Sequence, residues 1–88
     1  MRKQGPTAPA TERIDLPSLR SHRGISLRDI ADSTKISMRF LLAIEEGDFK
    51  QLPGGIYTTS YLRQYAREIG VEESRLLEYY RSFTVSAS

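Results

Sequence analysis

The 88-residue chain carries thirteen Lys and Arg against eleven Asp and Glu, a net charge of +2, and no cysteine. A chain this short builds one small core at most, and without thiols neither a disulfide framework nor a thiolate metal site can hold it. No apolar run approaches the roughly 20 residues of a membrane span, and no signal-peptide-like stretch opens the sequence, so a soluble chain is expected.

Residues 1–13, "MRKQGPTAPATER", offer almost nothing apolar to bury and read as a flexible basic tail. Arg2, Lys3 and Arg13 against Glu12 account for the whole net charge, because residues 14–88 hold ten basic and ten acidic side chains. The folded unit, expected over 14–82, is therefore neutral, which disfavours binding through phosphate neutralisation. "IDLPSLRSHRG" predicts a short first helix capped by Asp15, with Pro17 in its first turn, Leu16 and Leu19 facing inward and Gly24 as the left-handed stop. Ser26 and Asp29 form a capping box for a second helix ending near Ser33, with Leu27, Ile30 and Ala31 as its apolar stripe. Ala31 falls at the close crossing of the second and third helices, where a larger side chain would overpack.

Ile36 reads as the plug of the turn that follows, and Ser37 as the cap of a third helix with Phe40, Leu41 and Ile44 on one face and Gly47 at its end. "DFKQLPGG" is a loop anchored by Phe49 and Leu52. A fourth helix is predicted from about Tyr57 to Ile69, carrying Tyr61, Leu62, Tyr65, Ala66 and Ile69 and stopped by Gly70. Glu72 and Glu73 open a fifth, packed through Leu76, Leu77 and Tyr80, and residues 83–88 are expected to fray. The fold class is all-α, a compact five-helix bundle.

"ISLRDIADSTKISMRFLLAIEEG" has the form of two helices joined by a tight turn, a common route into the DNA major groove. Base edges are read by polar side chains, yet the groove-facing positions hold Met38, Arg39, Leu42 and Ala43. The candidate DNA contacts are Arg28 on the second helix and Ser37, Met38 and Arg39 at the start of the third, with Lys35 between; Met38 and Leu42 are easier to explain as protein contacts. Tyr57 and Tyr61, four residues apart, share a helix face, and tyrosine is a common interface anchor. His22 is the single histidine and lacks a nucleophile–base arrangement. Glu45, Glu46 and Asp48 crowd the unfavourable end of a helix, a weak hint of a metal or partner. "LPGG" lacks the Lys-Ser/Thr of a phosphate loop. No enzyme activity, cofactor or metal is expected.

"GISLRDIADSTKIS", "RFLLAIEEGDF", "LPGGIY" and "YLRQYAREIGV" together resemble the Cro/CI-like (XRE-type) helix-turn-helix superfamily, and within it the RodZ-like N-terminal cytoplasmic domains. The last two segments carry most of the distinction, since generic repressor domains seldom have the LPGG turn before a Tyr-rich helix. The resemblance implies a lambda-repressor-like bundle and a salt bridge between Arg20 and Glu45. It also places Leu27 where repressors often carry a phosphate-bracing Gln. By function it implies a bacterial cytoplasmic adaptor gripping an actin-like, MreB-type filament through Tyr57 and Tyr61, with Thr58 between them. A membrane anchor follows the domain in such proteins. The alternative is a DNA-binding regulator using residues 37–46.

Overall fold

The computed structural model describes residues 14–87, and the basic tail lies outside them. Five α-helices follow in order among the described residues: α1 (Leu16–His22), α2 (Leu27–Thr34), α3 (Met38–Glu46), α4 (Gly55–Ile69) and α5 (Glu73–Ala87), with a 3-10 turn at Phe49–Gln51 before α4. There is no strand among the described residues, and the architecture is the all-α helix-turn-helix bundle expected.

Local chemistry explains most of the boundaries. Asp15 accepts the Ser18 backbone N–H at 3.3 Å and the Ser18 hydroxyl at 2.9 Å, which starts α1. The helix closes with the Gly24 N–H donating to Ser21 O at 2.9 Å and the Ile25 N–H to Arg20 O at 3.3 Å. In α2 the capping box is reciprocal: Asp29 N–H donates to Ser26 Oγ at 3.0 Å, and Ser26 N–H to Asp29 Oδ2 at 3.1 Å. Lys35, a non-glycine residue at φ 65°, follows α2 in the left-handed conformation and is held by its N–H donating to Ala31 O at 2.8 Å. Thr34 supports the turn, donating to Ile30 O at 2.7 Å while accepting the Ile36 N–H at 3.1 Å. Ile36 is buried as the plug, and Ala31 is half-buried against the core.

Several packing expectations need correction. Leu19 is 38% exposed, because the inward face of the seven-residue α1 is taken by Leu16 and by the Arg20 guanidinium four residues on. Ala43, placed above among groove-facing positions, is buried with Leu41 and Ile44. Ser37 occupies the cap position of α3 but its side chain makes no capping bond. On α5, Tyr80 packs against the core as expected, but the more deeply buried Tyr79 joins it: Phe49 gathers Tyr79, Tyr80 and Phe83 around it with edge contacts at centroid separations of 5.7, 5.2 and 5.2 Å. Each such pair adds about 0.5–1.5 kcal/mol beyond area burial. The same cluster roofs the end of α3: a Cβ on Gly47, at φ +72°, would stand 3.4 Å from Tyr79 Oη. The backbone of α5 stays helical through 83–87, where fraying was expected.

Candidate functional site

Two features set the site: a buried polar network that fixes α3 against α1 and α4, and the surface that α3 and α4 then present. Glu45 sits in the last turn of α3, where the helix dipole disfavours a carboxylate. Arg20 offsets this with Nε at 2.6 Å and Nη2 at 3.2 Å, a two-pronged pairing, while Nη1 donates to Ile25 O at 3.1 Å. The fully buried Tyr65 donates its hydroxyl to the same carboxylate. The hydrogen bond to Glu45 raises the Arg20 pKa, burial opposing it. Desolvation first, and then the bond to Glu45, pushes the Tyr65 phenol well above its ordinary value.

The Arg20–Glu45 ion pair thus matches expectation, but the tyrosine that completes it was not foreseen. It also accounts for one member of the acidic cluster, Glu45, which is engaged inside the bundle; among the described residues no group of three or more His, Cys, Asp or Glu could hold a metal. His22 is exposed on a shallow depression lined by Pro17, Ser18 and Ser21.

On the outer side, α4 begins at Gly55, two residues earlier than expected, so Ile56 and Tyr57 lie in its first turn. They are 77% and 64% exposed, a pair of large apolar side chains facing solvent. Tyr61, one turn on, is half-buried and leans into the seam between α3 and α4, its ring 5.6 Å from that of Phe40. The Arg39 guanidinium lies 5.6 Å from the Phe40 centroid, within cation–π range. Met38 and Leu42 are exposed along the outer ridge of α3. Lys35 and Ser37 are exposed in the turn between α2 and α3, and Arg28 is exposed in the first turn of α2.

Thr58 must be withdrawn as a partner contact. It is 1% exposed, since the step from Tyr57 rotates it by roughly 100° onto the core line of Leu62, Tyr65 and Ile69. Ile56 carries no clear signal in the sequence, because it adjoins the Gly54–Gly55 pair, which reads as loop.

A family model described as a helix-turn-helix domain matches residues 15–76. The chain is 37% identical over 57 residues to a protein named as uncharacterized membrane protein YmfM of Bacillus subtilis (strain 168), covering 65% of this chain and 20% of that protein. It is 36% identical over 63 residues to the cytoskeleton protein RodZ of Streptococcus pneumoniae (strain ATCC BAA-255 / R6), covering 72% of this chain and 23% of that one. The chain therefore spans about a fifth of the length of these relatives. No solved structure matches it significantly.

Proposed function

The chain belongs to the helix-turn-helix domain family and is RodZ-like within it, and on that premise we propose that it is a non-enzymatic docking module for an actin-like, MreB-type filament. The grip is the first two turns of α4, with Tyr57 and Tyr61 as anchors and Ile56 beside them. The observation that carries the reading is the exposure of Ile56 and Tyr57 on a helix whose other face is packed into the core. Contiguous large apolar residues left in water are the usual raw material of an interface hot spot, and tyrosine brings area at little rotamer cost. Among the described residues no helix is long and apolar enough to cross a membrane. We place the domain in the cytoplasm, at the inner face of the membrane wherever an anchor continues the chain.

The competing reading is a DNA-binding regulator. It draws on the uncapped start of α3 at Ser37, with Lys35 exposed two residues before it and Arg28 exposed in the first turn of α2. Against it stand Arg39, drawn over Phe40, and a ridge whose other members are Met38 and Leu42.

Co-sedimentation of the 88-residue chain with polymerised MreB separates the two. Tyr57→Ala with Tyr61→Ala should abolish pelleting while the helical circular dichroism is retained. A double variant that pellets like wild type removes this surface from the function. Loss of affinity for duplex DNA in Arg39→Ala, with filament binding absent throughout, selects the regulator instead.

A further inference from the structure

The start of α4 is an unusual piece of backbone. Gly54 and Gly55 take φ of +93° and +58°, and a Cβ built on either would meet nothing within 4 Å. Side-chain packing therefore does not wedge this turn, and two consecutive glycines give it the greatest conformational freedom a chain can have. The backbone bond that would close it, Thr58 N–H to Gly54 O, is long at 3.4 Å. One short bond does hold it: the Gly54 N–H donates to Thr58 Oγ1 at 2.8 Å. Thr58 is itself anchored, being the most deeply buried polar residue among those described.

We infer that Thr58 is a positioning residue of the docking surface, its hydroxyl clamping the Gly54–Gly55 entry to α4 so that Ile56 and Tyr57 are held pointing outward in an ordered first turn. This role rests on the docking function proposed above. Ile56 and Tyr57 sit between the two ends of the clamp in sequence, so releasing it frays the turn that carries them. A fraying surface must be re-ordered at each binding event, and that loss comes directly off the affinity. Thr59, which donates its hydroxyl to Ile56 O at 3.1 Å, braces the same turn from the exposed side but does not reach the glycines.

The test pairs amide exchange with filament binding in the full chain. In wild type the Gly54 amide should be protected. Thr58→Val keeps the shape and removes the acceptor; it should speed exchange at Gly54 and weaken co-sedimentation with polymerised MreB by roughly 3- to 10-fold, the equivalent of one ordinary hydrogen bond. Thr58→Ser keeps the acceptor and should restore both. The inference is overturned by an unprotected Gly54 amide in wild type, by unchanged affinity in Thr58→Val, or by an equal loss in Thr58→Ser. If Thr58→Val does not fold, wild-type protection at Gly54 and binding by Thr58→Ser decide the matter. Failure of the docking function itself is separately visible: the Tyr57→Ala, Tyr61→Ala variant then pellets like wild type, whatever Gly54 exchange shows.

Discussion

Replacing Tyr65 by Phe removes one oxygen from the centre of the bundle and leaves the volume of the ring in place. The lost group is a hydroxyl donated to the Glu45 carboxylate from a fully buried ring. A hydrogen bond to a charged partner contributes about 1.5–3 kcal/mol net. The Glu45 side chain is only 5% exposed, so water has little access to take over the vacated position. Arg20 still supplies two bonds to the carboxylate, which sets the expected loss toward the lower half, about 2 kcal/mol. For a domain of this size that lowers Tm by about 8–16 °C.

The pH dependence gives a second check with a definite sign. The folded Tyr65 phenol titrates above its ordinary value of 10.0, so the unfolded chain releases this proton first. The stability Tyr65 contributes is therefore complete below pH 10 and is lost as pH rises beyond it, at up to about 1.4 kcal/mol per pH unit. Urea denaturation of the two proteins across that range should show the wild-type advantage shrinking above pH 10. A wild-type advantage under about 0.5 kcal/mol at neutral pH, or one that holds constant into the alkaline range, refutes the assignment of a working Tyr65–Glu45 bond.

Two further substitutions test the helix ends. Ser26→Ala deletes half of the α2 capping box and should lower stability by about 1 kcal/mol, read as a shift in urea midpoint at constant slope; no shift means the box is not formed in solution. Lys35→Gly relieves a left-handed non-glycine residue at φ 65° and should raise stability by up to about 1 kcal/mol in the same assay, whereas a drop would show that the Lys35 side chain does more than occupy the turn.

The parts of the fold legible in the sequence are those set by short-range chemistry. Asp15, Ser26 with Asp29, Gly47 and Gly70 fix helix ends through bonds to residues three to five positions away, and such signals survive without tertiary knowledge. Ile36 was legible because an apolar residue in a tight turn has one place to go. What failed depended on where a helix was rotated. Thr58 adjoins Tyr57 in sequence, but its spacing of four and seven residues to Leu62 and Tyr65 assigns it inward. Leu19 lost its inward place to the charged Arg20, which hydropathy alone ranks the wrong way round. Tyr79 escaped notice beside Tyr80 because the ring that gathers both, Phe49, lies thirty residues upstream of it. Tyr65 was legible as core, but its bond to Glu45 needs two helices in fixed register.

The division of α3 has a bearing on how such a domain can change its clients. Leu41, Ala43, Ile44 and Glu45 seat the helix, while Met38, Arg39 and Leu42 occupy a ridge outside that seat. Exchanges along the ridge leave the seat untouched, so the outer surface of α3 can vary while the architecture stands still. For the bench the same division makes the ridge a cassette: base-reading residues can be installed at those three positions as a controlled attempt to give the scaffold a new client.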